Sequence, residues 1–510
     1  MVFSGGHSDM RWSANGNVIE RLTVSVVFAI LIAYVASRAA LMSITHDEAA
    51  TYVWHIKGLV TDIVSFSTPG LPDNNHMLFT LLAKASTRAF GPSEFALRLP
   101  SVIAYAGFLA ALYLTLRLFV QGAVLWLFLL FVALNPYLVD MFSTARGYGL
   151  GMALETGGLY LFLSAIEDKE SSAWKPVLVG ALFALAALAH FAMLLLFIAF
   201  LGLRVLAAAG AFMRGMFWRR RVAVEAIGLA SVAGLLAAAS IKPLLKFKEL
   251  GLLYNDRWPS FFNGTVDTLV AGSLRNGDPP VVVGVILCAA VVVALIVLAV
   301  KVRSLAQHRR LLGLAMVTGL LVAVCVGTVL QHYLFGVAYL AERRAVFLTP
   351  LFGIMCALLL AGRNYLLSPS ARALIAVAAL SPLILLPKLT TGADLRTTWD
   401  CLYDADTKTM IRQLEALPHE RALRLGIDWR FEPSINFYRD RYYDRYQLDW
   451  LEKVTEEGWV GRYDFYYVFR EDFGTLEKAV GPLQVIAQYP NTVLARPRDQ
   501  LTANVIAFPH

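Results

Sequence analysis

The chain has 510 residues, 58% hydrophobic and only 16% charged, with a mean hydropathy of +0.59. A soluble protein carries roughly a quarter charged residues, so this composition excludes an ordinary soluble domain and points to a chain that crosses a membrane many times. The net charge of +8 sits in short clusters between apolar runs, as positive-inside loops do, and not in a stripe suited to nucleic acid.

Runs of about 20 apolar residues match a hydrocarbon core of roughly 30 Å. Eleven are read in chain order, at about 22–42, 95–116, 122–140, 149–166, 175–189, 191–209, 222–241, 280–300, 311–331, 345–362 and 371–389. The first lacks a small-residue cleavage site and is expected to remain as an anchor. A break at His190 divides 175–209 into two spans and keeps the later basic clusters on one side. With the amino terminus in the cytoplasm, Arg11, Arg21, Arg117, Lys169, Lys175, Arg214, Arg219, Arg220, Arg221, Lys301, Arg303, Arg309, Arg310, Arg363 and Arg372 fall inside. The outer side then holds 42–94, 141–148, 242–279, 332–344 and everything after 390.

Beyond the last run the composition turns mixed and polar. Strand-like stretches Ala422–Ile427, Phe465–Phe469 and Leu483–Tyr489 alternate with helical ones near Thr407–Leu417, Pro433–Arg439 and Phe473–Val480, the pattern of a small α/β domain. The expected fold is a polytopic α-helical membrane protein with about eleven transmembrane helices and a C-terminal α/β extracytoplasmic domain. Its division is a membrane region, 1–390, with outer loops 42–94 and 242–279, followed by the domain 391–510. The chain shows no internal repeat and no glycine-rich phosphate loop. Its four cysteines have neither disulfide nor zinc spacing.

Groups able to do chemistry gather on the outer side. In the first outer loop, Thr45-x-x-Glu48 fits a capping box, which predicts that Glu48 reaches back to the cap amide. Asp47 is then the second helical residue, near free amides at the positive end of the helix dipole, where it stays ionised and able to accept a proton. Adjacent helical residues point about 100° apart, so the two acids do not serve one substrate atom. Asp47 is the candidate base and Glu48 a supporting group. Further on, Asp73-Asn74-Asn75-His76 precedes a helix that one of the asparagines is expected to cap. His76 with Asp47 or Glu48 is a candidate divalent-metal set, although no ligand spacing demands it.

Arg146-Gly147-Tyr148 places a guanidinium beside a glycine that allows close backbone approach; Arg146 is expected to grip a phosphate or to pair with Asp47 or Asp140. Lys246, Lys248, Arg257 and Trp258 offer a cationic and aromatic surface in the long outer loop. Glu342-Arg343-Arg344 sets two arginines at the outer boundary. These cations run against the positive-inside preference and suggest an anionic ligand such as a phosphate. Glu94 and Arg98, one helical turn apart, are expected to pair with each other.

At these residues the chain resembles the GT-C glycosyltransferases, multi-spanning enzymes dependent on polyprenyl-phosphate sugars. They include glycosyltransferase family 39, protein O-mannosyltransferases and lipid A aminoarabinose transferases. The resemblance rests on Asp47-Glu48-Ala49, on Asn74-Asn75-His76-Met77-Leu78 beside the family's His-Pro-Pro-Leu stretch, on Gly91 to Ser101, and on Ala145-Arg146-Gly147-Tyr148. It covers 22–190, the remaining membrane region by topology, and the tail loosely. Met77 stands where the family has proline, and the second loop lacks an extra acid, which weakens the metal assignment.

The resemblance implies a GT-C fold and Asp47 as the general base that deprotonates an acceptor hydroxyl or amine. Arg146, Tyr148, Lys246, Lys248, Arg257, Arg343 and Arg344 would hold the donor phosphate or the acceptor. The sugar would transfer with inversion on the periplasmic face of a bacterial inner membrane. The partners implied are a polyprenyl-phosphate-linked sugar, the bilayer, and a lipid, glycan or protein acceptor. One rival is a transporter or flippase of a lipid-linked saccharide, which should carry ionisable groups deep in its spans. These spans are nearly free of acids. The other rival is a non-catalytic cell-envelope assembly protein, in which Asp47 is dispensable.

Overall fold

A computed structural model describes residues 14–68, 72–166, 173–213, 219–254, 257–362, 368–385, 394–418, 421–446, 451–454 and 463–498. Arg11, Lys169, Arg214 and Arg363 lie outside the described residues, as do the turn residues 69–71. The membrane region runs α1 (Ala14–Leu41), α2 (His46–Ala50), α3 (Val60–Ser65), α4 (Met77–Phe90), α5 (Glu94–Arg117), α6 (Gly122–Ala133), α7 (Pro136–Ser143) and α8 (Gly147–Ser164). It continues with α9 (Trp174–Ala189), α10 (Leu194–Met213), α11 (Arg219–Glu249), α12 (Thr268–Leu274), α13 (Val281–Val300), α14 (Arg309–Phe335), α15 (Leu348–Gly362) and α16 (Pro369–Leu380).

Within the described residues each of the eleven apolar runs lies on a helix or a helix pair, and 386–389 of the last run lie outside them. Among the described residues six helices are long and apolar enough to cross a membrane, and seven if a bent pair forms one span. That pair is α6 and α7, which meet at 57° where the sequence predicts one straight run over 122–140. Pro136 is the cause. A proline has no N–H to give and clashes with the preceding turn, so it starts a helix and does not continue one. Asn135 caps the new start by accepting from the amides of Tyr137 and Leu138 at 3.0 and 3.4 Å. The Tyr105 hydroxyl donates to the Ala133 carbonyl at 2.9 Å beside the break. The predicted division at His190 is present: α9 ends at Ala189 and His190 is extended, with φ −155° and ψ 113°.

The tail folds as a four-stranded sheet with three helices. The strands are β1 (Leu425–Ile427), β2 (Phe465–Phe469), β3 (Leu483–Gln488) and β4 (Thr492–Pro497). Their order is β1-β2-β4-β3, with β1 and β2 parallel and the other pairs antiparallel. The helices are α17 (Thr407–Glu415), α18 (Glu432–Tyr446) and α19 (Phe473–Val480). The sequence missed β4, whose arginine and proline dilute a strand pattern, although Pro490-Asn491 before it is a turn signal. The predicted strand from Ala422 is shorter, because Leu423 makes an isolated bridge to Leu451.

The sheet does not stand apart from the membrane region. One apolar cluster joins Ile44, Ala49, Tyr52, Phe79 and Leu97 with Met410, Leu414, Phe431 and Phe437 of the tail. The amide of Ile44 donates to the Tyr438 hydroxyl at 2.8 Å, and the rings of Tyr52 and Phe437 meet edge to face at 5.1 Å. Full burial of one such ring contributes roughly 1.5–3 kcal/mol. Docking therefore positions the first loop.

A second anchor is ionic. Asp140 on α7 takes Arg38 from α1 at 2.5 Å and Arg275 from the end of α12 at 2.7 Å. Its other oxygen accepts the Trp399 amide at 2.8 Å, and Arg38 also donates to the Asp394 and Thr397 carbonyls. A buried charge that loses its partner is strongly destabilising. Asp140→Asn is therefore expected to cost about 3–5 kcal/mol and to lower the thermal unfolding midpoint in detergent; an unchanged midpoint would refute the role.

Candidate active site

The capping box at the start of α2 forms as predicted. The Thr45 hydroxyl accepts from the Glu48 amide, and the Glu48 carboxylate takes the Thr45 amide at 3.0 Å. Glu48 is fully buried and committed: Arg98 donates to its two oxygens at 2.7 and 2.6 Å, and the Ala145 amide donates at 2.5 Å. This corrects the expected pairing of Glu94 with Arg98. Arg98 turns to Glu48 and to the carbonyls of Ala39, Met42 and Ser43, while Glu94 is held by Lys408 of the tail at 2.9 Å. Burial works to raise the Glu48 pKa, but Arg98 and the amides of Ala145 and Thr45 leave it lowered and the group charged.

Asp47 points elsewhere. Its Oδ2 alone takes two guanidiniums, Arg343 at 2.5 Å and Arg146 at 2.8 Å. Arg146 also donates to Asn74 Oδ1 at 2.9 Å and lies 5.6 Å from the centre of the Tyr148 ring. Asn74 is thus a clamp for the arginine, and Asn75 donates to the Ile63 carbonyl at 2.8 Å. Neither caps α4, whose N-cap is His76 without a side-chain bond. Burial pushes the Asp47 carboxyl up, yet Arg146, then Arg343 and His46, hold it well below the usual carboxylate range. It is ionised and, in this pairing, a weak base.

Gly147 shows why the sequence needs a glycine after Arg146. A Cβ there would fall 1.9 Å from the Ala189 carbonyl and 2.8 Å from the His76 Cβ. The close approach brings His76, Tyr148 and His190 together, with ring centres 5.0 Å apart for His76–Tyr148 and 4.3 Å for Tyr148–His190. Burial, then Arg146, push His190 down to about 3; the same causes hold His76 well below its ordinary value. Both imidazoles are neutral. The Nε2 atoms of both, and Arg146 Nε, are buried without a hydrogen-bond partner among the described residues.

These side chains line a cavity of about 500 Å³. Four arginines (Arg146, Arg257, Arg343 and Arg344) face two carboxylates (Asp73 and Glu342) on its wall, with Tyr148 and Trp258 beside them. The cavity takes in predicted residues His76, Arg146, Tyr148, Arg257, Arg343 and Arg344, and it adds His190 and Asp73. Asp47 is not on its wall; it lies behind Arg146 and Arg343. Lys246 and Lys248 are also absent from it. The helical repeat turns Leu244 and Phe247 of α11 toward the cavity and swings Lys246 and Lys248 aside. Lys246 donates to the Phe66 carbonyl at 2.5 Å, and Lys248 is exposed.

The metal set proposed for His76, Asp47 and Glu48 is not assembled. Among the described residues no three His, Cys, Asp or Glu side chains are placed so that they could hold a metal ion. The charges around Asp47 are guanidiniums, and Glu48 is committed to Arg98. Asp404 of the tail, which no sequence signal marked, accepts the His46 amide at 2.6 Å and so steadies the helix that carries Asp47.

Residues 74–239 match the family model of dolichyl-phosphate-mannose-protein mannosyltransferase. Over that segment, which holds His76, Arg146, Tyr148 and His190, the likeness to GT-C glycosyltransferases is borne out. Among solved structures the chain is similar to ArnT from Cupriavidus metallidurans bound to undecaprenyl phosphate. The two are 12% identical over 95% of this chain and 98% of that one, with a TM-score of 0.48. It is also similar to the oligosaccharyltransferase of Archaeoglobus fulgidus in the apo form, 13% identical over 82% of this chain and 63% of that one, with a TM-score of 0.44. No curated protein matches the chain.

Acid sensitivity follows from the site. His76 and His190 bind protons more weakly in the fold than at their ordinary value of 6.5. The unfolded chain takes up those protons first, so their contribution is complete above pH 6.5 and declines as pH falls. Asp47 and Glu48, with depressed values, add a second loss below their ordinary 3.8 and 4.5. Thermal unfolding across pH should show stability falling in these two stages. In His190→Gln the first stage should shrink.

Proposed function

We propose that the chain is a membrane glycosyltransferase that moves a sugar from a polyprenyl-phosphate donor to a lipid, glycan or protein acceptor. The observation that carries this reading is the pairing of one ionised carboxylate, Asp47, with an arginine-lined cavity whose other wall is apolar. Leu194, Leu195 and Ile198 of α10 line that wall, and Ile198 is exposed on the outside of the bundle. A cavity with guanidiniums at one end and a membrane-facing apolar side fits an amphiphile with a phosphate headgroup. Such a donor needs no nucleotide-binding loop, and none is found in the sequence.

In the reaction proposed, the acceptor oxygen or nitrogen attacks the anomeric carbon from the side opposite the phosphate. The new bond forms as the bond from carbon to phosphate oxygen breaks, so the configuration inverts. Asp47 takes the acceptor's proton. The polyprenyl phosphate leaves with the bonding electrons, and Arg343, Arg344, Arg257 and Arg146 stabilise its charge. The positive-inside distribution supports a face outside the cytoplasm, which we read as the periplasmic side of a bacterial inner membrane, with 391–510 as an extracytoplasmic domain. No metal is required in this scheme.

The test is transfer by the purified full chain in nanodiscs, using defined polyprenyl-phosphate sugars. Asp47→Asn is expected to lower kcat by about 10²–10⁴, the usual worth of a general base. Arg344→Ala should raise the donor KM, and a chelator should leave turnover unchanged. Equal rates for wild type and Asp47→Asn would overturn the base, and transport without transfer would overturn the enzyme.

A further inference from the structure

Arg146 and Arg343 do two things at once. Both bond Asp47, and both form part of a cavity wall that Asp47 does not reach. Arg343 meets Asp47 through Nη1, and a guanidinium has further N–H groups to offer an anion, so the carboxylate and an incoming phosphate compete for the position of the side chain. The two arginines are not equivalent. Arg146 is 6% exposed, tied to Asn74 and set against Tyr148. Arg343 is 30% exposed and sits on the short turn Glu342–Ala345.

Glu342, just before it, has φ +53°, a left-handed conformation that a residue with a Cβ rarely adopts. The Thr268 hydroxyl holds that turn by accepting the Glu342 amide at 2.7 Å. The backbone is thus pinned, and the Arg343 side chain, more exposed than that of Arg146, touches both Asp47 and the cavity. Other groups face Asp47 from every side. His46 and Glu48 lie on its own helix and His76 at the start of α4, while Cys401, Tyr403 and Asp404 come from the tail. The two arginines are the fixed positive charges of the set.

We propose that Arg343 is a latch on Asp47 operated by the donor: the phosphate of a lipid-linked sugar draws Arg343 out of its ion pair, and Asp47 is released to the acceptor only then. The proposal rests on the glycosyl-transfer reading and extends it to the order of events. With the latch closed, Asp47 is screened by two cations and is a poor proton acceptor. With Arg343 on the phosphate, one cation is withdrawn, the carboxylate gains basicity, and the same arginine stabilises the leaving group. Arg343 is here a positioning residue for Asp47 as well as a phosphate ligand.

The test measures binding of undecaprenyl phosphate, without sugar, to the full chain in nanodiscs. Removing the competing carboxylate in Asp47→Asn should tighten binding about tenfold, the equivalent of 1.4 kcal/mol. Asp440→Asn also removes a negative charge, one paired with Lys57 away from the cavity, and should change binding less than about threefold, because among the described residues Asp47 is the carboxylate that bonds Arg343. In an Arg343→Gln background the gain from Asp47→Asn should vanish. As a readout that needs no variant, a structure of the complex should show Arg343 more than about 4 Å from Asp47, beyond ion-pair distance. Unchanged or weaker binding by Asp47→Asn, a gain that persists without Arg343, or an intact pair in the complex would overturn the latch and leave the donor reading standing. Failure of the wild type to bind undecaprenyl phosphate would overturn both.

Discussion

The carboxylate of Glu48 is the knot on which the site depends. A buried anion is costly unless donors surround it, and here five converge: two from Arg98, the amide and hydroxyl of Thr45, and the amide of Ala145. Through them one side chain fixes the start of α2 and the segment before α8. Arg98 in turn takes the Ala39 carbonyl in the last turn of α1, a group that a helix end leaves without a partner, and the Met42 carbonyl just beyond it. Asp47, next to Glu48 itself, and Arg146, next to the Ala145 amide that Glu48 holds, meet across the site. The residue that does no chemistry in this scheme sets the separation of the two that do.

Around that knot the charges are arranged with a clear bias. Asp140 and Glu48 are each matched inside the protein by arginines. The cavity is different: its wall carries more guanidiniums than carboxylates. An excess of guanidiniums on a wall suits an anion. It also explains why Asp47 is ionised yet weak as a base while both arginines stay on it.

Much of this could be read in the chain order of the residues. The apolar runs and the helical and strand stretches of the tail depend on local periodicity, which survives folding, and the capping box depends on a spacing of three residues. Asp47, His76, Arg146, Tyr148 and the arginines at 343 and 344 stand out because polar groups at a membrane boundary are expensive and few. Errors arose where partners are far apart in sequence. Arg98 has an acid four residues before it and takes one fifty residues before it. Lys246 and Lys248 look like site residues beside Arg257, yet the turn of α11 sends them away from the cavity.

The sequence by itself determined the class of the protein, the helices and sheet of its two regions, and most of the polar residues at the site. Helix period, capping and hydrophobicity act over a few residues and need no tertiary contact. The tertiary structure decided which acid is buried and which meets the arginines, that His190 joins His76 and Tyr148, and that Asp47 stands behind the cavity wall and not on it. Those outcomes turn on which of several charges within reach lose their water together, a choice that burial makes and linear spacing does not contain.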